Sequence, residues 1–268
     1  MLDVMIYLVI FIMGTVFGSF FTLAIYRLPR KENITYVRSH CTTCNHNLNF
    51  WDLIPVWSYL FLGGKCRYCK SKIRSRYILL EIFSGLAFML IAYTFKISAY
   101  STLLELINLF FIYLFFCAIY IIGGIDKETL KIHNGTLIYG IAVALVYGLF
   151  NAYFYGQYMT MNLVGFLAIP SILLIVVKLL KKLGKDENKI LGFGDIKYIA
   201  MLGLFMGLGL QILAILVSIV IALVAALIKK YKDIPFGYFL SIGSVIVLVF
   251  SPYLKELTDL MNITFFNF

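Results

Sequence analysis

Two aspartates and four cysteines are the residues of this chain whose types and spacing could do chemistry. Asp126 closes Ile122-Gly123-Gly124-Ile125-Asp126, and Asp195 lies in Leu191-Gly192-Phe193-Gly194-Asp195-Ile196-Lys197. Each stands at the edge of a long apolar run. An ionisable group at membrane depth costs about 2.5–3.5 kcal/mol on insertion scales and is a functional candidate by default. Two carboxyls sharing a site repel as like charges, so one ionises while the other keeps its proton. The pair then titrates as a unit, with coupled macroscopic values. It can take a proton from water and give one to a carbonyl oxygen or leaving amine. That is the chemistry of peptide hydrolysis without a metal or a covalent nucleophile. Gly192 and Gly194 suit unusual torsions or the close approach of another chain. An extended substrate could pair with exposed main-chain groups there, beside Lys197. The plainer alternative is a helix break followed by a capping aspartate.

The cysteines form two knuckles, Cys41-Thr42-Thr43-Cys44 and Cys66-Arg67-Tyr68-Cys69, separated by 21 residues. That spacing matches a structural zinc site with four thiolates. Disulfides compete, but a reducing compartment favours metal. Zinc also supplies folding energy that an insert of this size cannot easily draw from its own core. His40 and His46 flank the first knuckle and read as surface residues, and Cys117 as a small packing residue.

The elements that must position these groups are membrane helices. The 268 residues are 62% hydrophobic and 13% charged, with mean hydropathy +0.94, whereas a soluble domain is about 45–50% apolar. A crossing helix needs about 20 apolar residues. The pattern predicts an all-α polytopic membrane protein of about eight transmembrane helices: roughly 4–26, 78–95, 102–122, 136–153, 161–180, 194–210, 211–228 and 236–253. The sixth and seventh are split only by Gly207-Leu208-Gly209-Leu210-Gln211, so seven is the nearest other count. The eighth opens at Pro235, a good first-turn residue. No internal repeat is visible.

The first apolar run has no basic residue before it, and Arg27 and Arg30 follow it. That order predicts an uncleaved anchor with its N-terminus outside. Threading from there puts 21 of the 23 Lys and Arg on the cytoplasmic side. The formal charge of +10 therefore reads as membrane topology, with no nucleic-acid partner. Asp126 and Asp195 both fall at the cytoplasmic edge. The chain divides into a first helix (1–27), a cytoplasmic zinc-binding insert (28–77) and a helical core carrying both aspartates (78–268). Asn-x-Thr triplets at Asn33 and Asn134 would be cytoplasmic, so glycosylation is not indicated.

Together the motifs resemble the type IV prepilin peptidases, intramembrane aspartyl proteases with a Gly-x-Gly-Asp motif. The resemblance covers nearly the whole chain: Gly18-Ser19-Phe20, Tyr26-Arg27-Leu28-Pro29, Asp52-Leu53-Ile54-Pro55-Val56-Trp57-Ser58-Tyr59 between the knuckles, then Ile73, Arg76-Tyr77, Glu81 and the two Asp motifs. It implies that Asp126 and Asp195 are the catalytic pair. It implies substrates that are prepilins or pseudopilins, cut after a glycine that ends a short basic leader, at the cytoplasmic membrane face. Members often N-methylate the new terminus using S-adenosylmethionine, and the zinc-bearing insert is linked to that activity. The chain departs from the pattern at Thr22, where Asn is usual, at Ile78, where Pro is expected, and near His133, where a proline is common. No glycine-rich S-adenosylmethionine signature is readable. Glu128, Asp186, Glu187 and Asp52 are acidic candidates for reading the leader, and the Lys/Arg excess suits the anionic lipid bilayer.

Two other classes stay in view. An ion- or proton-coupled transporter could use the same acids as a relay, although both lie near one face and not at the midplane where such sites usually lie. A non-enzymatic assembly factor would use the zinc insert to dock a partner.

Overall fold

The computed structural model describes residues 2–36, 38–157, 159–183, 192–228 and 234–260. Eight helices follow one another: α1 (Leu2–Arg27), α2 (Trp57–Phe61), α3 (Arg76–Thr94), α4 (Leu103–Thr129), α5 (Asn134–Tyr155), α6 (Thr160–Lys182), α7 (Phe193–Ile228) and α8 (Phe236–Leu260). No strand occurs among the described residues. The chain forms two compact units, Met1–Leu103 and Leu104–Phe268.

In the first unit α1 and α3 pack along each other. Lipid tails are as apolar as the helices, so association depends on close packing of small residues. A Cβ at Gly14 would come within 2.8 Å of the Gly85 Cα, which shows how nearly the two backbones touch. Residues 28–75 leave and return at the shared end of this pair. Arg27 is buried there and donates to the carbonyl oxygens of Asn33 (3.0 Å) and Arg38 (3.5 Å). A cation at the end of α1 thus fixes the first residues of the insert.

In the second unit α4 is buried nearly all round from Phe115 to Asp126, as expected of a central helix with no polar face. Phe115 stacks on Phe205 of α7 at 3.8 Å between ring centroids. His133 caps α5 by accepting from the Thr136 N–H at 3.4 Å.

Seven helices are long and apolar enough to cross a membrane among the described residues, and α7 counts once in that number. Gly207 interrupts α7 with φ 73 and ψ 170, torsions that glycine adopts without a Cβ clash. Beyond it the Gln211 side chain donates to the Ile199 carbonyl at 2.8 Å. Those residues would stand about 18 Å apart along a straight helix at 1.5 Å per residue, so the chain folds back. Asn162 of α6 supplies donors to the Leu204 (3.0 Å) and Phe205 (3.2 Å) carbonyls, which the break deprives of helical partners. The stretches 194–210 and 211–228 are thus one helical segment in extent, which reverses direction at Gly207.

Candidate functional site

Asp126 stands in the last turns of α4, which keeps helical hydrogen bonding until Leu130 turns left-handed at φ 53. Asp195 stands in the first turn of α7. Their carboxylates are close enough to interact electrostatically, and the Tyr198 hydroxyl lies near both. Asp126 is 4% exposed and Asp195 half-buried. Burying two acids side by side is costly, and such cost is characteristic of sites that use it.

Asp126 is held by the N-terminus of α8. The Tyr238 N–H donates to its Oδ2 at 2.9 Å, and the Gly237 N–H also bonds the carboxylate. The first N–H groups of a helix have no helical partner and are natural donors to an anion. Gly237 makes the contact possible, since a Cβ there would lie 3.0 Å from the carboxylate carbon. Asp195 curls back over its own helix start, where the Gly192 N–H bonds its side chain. Behind the pair, Tyr198 OH and Ser241 Oγ pair at 2.8 Å, and Ser241 donates to the Gly237 carbonyl at 2.8 Å. Both residues are buried. Asp195 and Tyr198 are three apart and share one helix face.

The expected site residues of this unit therefore gather at one end. Gly192 is exposed just before α7 and approaches Asp195 Oδ2, and Gly194 packs against Ile132 of the α4–α5 turn. Lys197 is exposed, 3.5 Å from Asn134 Oδ1 and above the Phe193 ring. Glu128 is exposed in the last turn of α4, whereas Asp186 and Glu187 lie outside the described residues. Sequence reasoning missed Tyr198, Gly237, Tyr238 and Ser241. Pro235 marked the start of α8, but nothing local showed which carboxylate that start would meet.

Gly237→Ala tests the clamp. The added methyl would lie 3.0 Å from the Asp126 carboxylate carbon, so that carboxylate or α8 must give by a few tenths of an ångström, and misplacement of about 1 Å can cost about a hundredfold in rate. Cleavage is expected to fall, by less than that factor, with the melting temperature little changed. Unchanged turnover in a peptide-cleavage assay would show that the α8 clamp does not matter.

In the first unit Cys41, Cys44, Cys66 and Cys69 bring their sulfurs within 4.8 Å of one another, with Cys41 and Cys69 at 3.8 Å. Tetrahedral zinc with bonds of about 2.3 Å requires sulfurs about 3.8 Å apart, so the residues fit the ion. The backbone N–H groups of Cys44 and Thr43 hold the Cys41 thiol down to about 6, as a thiolate ligand requires. The His46 N–H acts on Cys44 in the same sense. Burial and sharing with Cys69 and Cys41 outweigh it and push Cys44 up to about 11. All five cysteines are free thiols, and Cys117 is buried within α4.

The knuckles are local copies of one another, although the whole chain shows no repeat. Bridges pair His40 with Asn47 and Lys65 with Lys72, and Asn45 and Lys70 take matching left-handed torsions. The Cys41 and Cys66 carbonyls accept from those same two residues. His40 contacts the Arg38 carbonyl, and the His46 ring lies against Tyr68. Neither histidine belongs to the sulfur cluster.

Asp52 braces the second knuckle by accepting from Arg67 Nε at 2.6 Å, with further bonds from the Asn49 N–H and the Tyr68 hydroxyl. Burial raises its carboxyl, but Arg67 and these donors outweigh burial and hold it below the ordinary carboxylate range. A carboxyl depressed in the fold contributes stability that is complete above its unfolded value, about 3.9. That stability disappears as pH falls through the folded value. Asp52→Asn should therefore destabilise the insert at neutral pH, and its gap from wild type should narrow below about pH 4. Denaturation followed by tryptophan emission would check this, and a pH-independent gap would refute it.

Comparison with known proteins agrees with the division into units. The family model for the bacterial peptidase A24 N-terminal domain matches residues 12–95, and that for the type IV leader peptidase family matches 110–227. The chain is similar to a prepilin leader peptidase/N-methyltransferase of Klebsiella pneumoniae, 30% identical over 205 residues, which cover 74% of this chain and 84% of the relative. A protein of the same description from Neisseria gonorrhoeae is 29% identical over 263 residues, covering 88% and 87%. The type 4 prepilin-like proteins leader peptide-processing enzyme of Escherichia coli O78:H11 is 29% identical over 254 residues, covering 87% and 89%. No solved structure matches.

Proposed function

This chain belongs to the type IV leader peptidase family, and from that premise we propose that Asp126 and Asp195 are the catalytic pair of a membrane aspartyl endopeptidase for prepilin-like proteins. The observation that carries the reading is the convergence of the two carboxylates at the common end of α4, α7 and α8. The ionised member of the dyad takes a proton from the attacking water. The protonated member gives its proton to the carbonyl oxygen, and a proton then passes to the leaving amine. The enzyme is a multi-pass protein of the bacterial inner membrane. Its N-terminus lies outside, and both the dyad and the cysteine insert lie at the cytoplasmic face, as the distribution of Lys and Arg supports.

The substrates are prepilins or pseudopilins, cut after the glycine that ends a basic leader. Gly192 and Gly194 carry no side chain beside Asp195 and so let an extended segment approach the backbone closely, and Lys197 flanks them. Glu128, exposed two residues beyond Asp126 in the last turn of α4, is the acid that would meet a basic leader. Methylation of the new terminal residue is the second activity, with S-adenosylmethionine as donor. Residues 28–77 carry a structural zinc and serve that second activity, and residues 78–268 carry the peptidase helices.

The test is cleavage of a prepilin-like substrate by the purified protein, with mass analysis of the product with and without S-adenosylmethionine. A cut after glycine supports the peptidase, and a methyl-sized mass gain supports the second activity. No cut by well-folded protein across several such substrates would overturn the reading.

A further inference from the structure

We infer that residues 50–61 form an interfacial element whose aromatic side chains lie in the headgroup layer of an anionic bilayer leaflet and hold the cysteine insert against the membrane. The inference rests on the proposed membrane-spanning placement of α1 and α3 and does not involve the dyad.

Depth comes first. The Val56 N–H donates to Glu81 Oε2 at 2.8 Å. Glu81 lies five residues into α3 from Arg76, about 7.5 Å along the helix axis. The Ser19 hydroxyl of α1 bonds the same carboxylate, and Ser19 lies eight residues before Arg27, about 12 Å along the axis. The segment therefore dips to the level of the first turns of a membrane-competent helix pair.

At that level the chain reverses. The Trp57 N–H donates to the Pro55 carbonyl at 2.6 Å across Val56, which takes φ 64 and ψ −54. A three-residue turn of this hand is rare and strained, and such strain persists only where the surroundings over-determine it. The Glu81 carboxylate is what fixes the Val56 N–H.

The flanks of the turn expose apolar surface. Phe50 is 75% exposed, Trp51 69%, Trp57 59% and Phe61 82%. Phe50 sits edge-on to Trp51, and Trp57 stacks with Phe61. A patch of this kind on a water-facing loop marks an interaction site. Indole rings favour the membrane–water boundary, where one edge is wet and the face is apolar.

Charge selects the partner. Residues 28–77 hold nine Lys and Arg against Glu32 and Asp52, and Asp52 is neutralised by Arg67. A basic surface around an aromatic patch attracts anionic headgroups. It repels a basic peptide, including the leader of the proposed substrates.

Trp51 and Trp57 are the only two tryptophans in the chain, so intrinsic emission reports this element alone. The full-length protein would be placed in lipid nanodiscs whose acyl chains carry a quencher either near the headgroup or at mid-bilayer. Trp51→Phe and Trp57→Phe keep the patch apolar and leave one reporter each. Both reporters are expected to lose more emission to shallow than to deep quenchers, and to be shielded from aqueous acrylamide. Replacing anionic with zwitterionic lipid should weaken both effects. Quenching by acrylamide but not by labelled lipid would overturn the inference. Shielding that arises only when a prepilin-like peptide is added would also overturn it, in favour of a substrate-docking patch. Equal quenching in zwitterionic lipid would overturn the choice of anionic headgroups. Cleavage is measured on the same samples, so loss of lipid quenching with intact cleavage defeats this inference alone.

Discussion

Asp126→Asn and Asp195→Asn each yield a folded protein whose cleavage of a prepilin-like substrate is lost, with rates down by about 10²–10⁴-fold or more. An amide is nearly isosteric with a carboxyl but can neither take nor release the proton that hydrolysis moves. In Asp126→Asn the Tyr238 and Gly237 N–H groups can still meet the carbonyl oxygen of the new amide, so α8 keeps its seat. Removing one of two neighbouring carboxyls, Asp126 buried and Asp195 half-buried, should leave each variant at least as stable as wild type. The measurements are turnover of the peptide and the melting temperature, taken together. Residual cleavage above about a tenth of wild type in either variant would defeat the dyad, because a carboxyl acting alone cannot supply both proton transfers. A variant that loses both turnover and folding would instead mark the aspartate as structural.

The other large effect is expected from the metal. Metal analysis should find about one zinc per chain, as four thiolates in tetrahedral reach imply. Cys66 is the most buried of the four, and Cys66→Ser removes a thiolate that a hydroxyl does not replace. In small zinc domains the apparent binding energy is about 10–16 kcal/mol and is also the folding energy. Besides the thiols, the knuckles are held by one bridge and one left-handed turn residue each, Asn45 or Lys70, and the second by the exposed Asp52–Arg67 pair, which is too little to fold an insert of this size alone. Chelation, or Cys66→Ser, should therefore abolish amide protection over residues 40–72. The helices α4 to α8 should retain theirs, because their packing lies in the second compact unit. Hydrogen exchange read by mass spectrometry separates the two regions. Protection of the insert that survives complete metal removal would show that its fold does not depend on zinc.

Much of this protein is legible without coordinates because a bilayer restricts what a chain can do. Long apolar runs must be helices, since no water satisfies an open backbone there. Asp126 and Asp195 stand out for the same reason, as charge is conspicuous only where it is expensive. The cysteine spacing is equally direct, because both halves of a tetrahedral site are local knuckles. What spacing along the chain could not show was which distant backbone groups meet each acid. Tyr238 and Gly237 are more than a hundred residues from Asp126, and ordinary glycines and tyrosines at a helix start carry no local mark of that contact. The turn at Val56 was hidden for a related reason. A β-branched residue predicts extended backbone, and only Glu81, a residue of another helix, reverses that preference.

The order of helices, the distribution of basic residues among the loops, the two acids and the four thiols are properties of residue type and local spacing, and the sequence by itself determined them. The break at Gly207 is readable in the sequence, and the Gln211–Ile199 contact shows α7 folding back there. Tertiary structure alone decided that α8 clamps Asp126. It also decided that α3 packs with α1 in the first unit, and that Tyr198 and Ser241 back the dyad. Each of these depends on contacts between residues far apart in the chain, whose free energy exists only once the helices have packed.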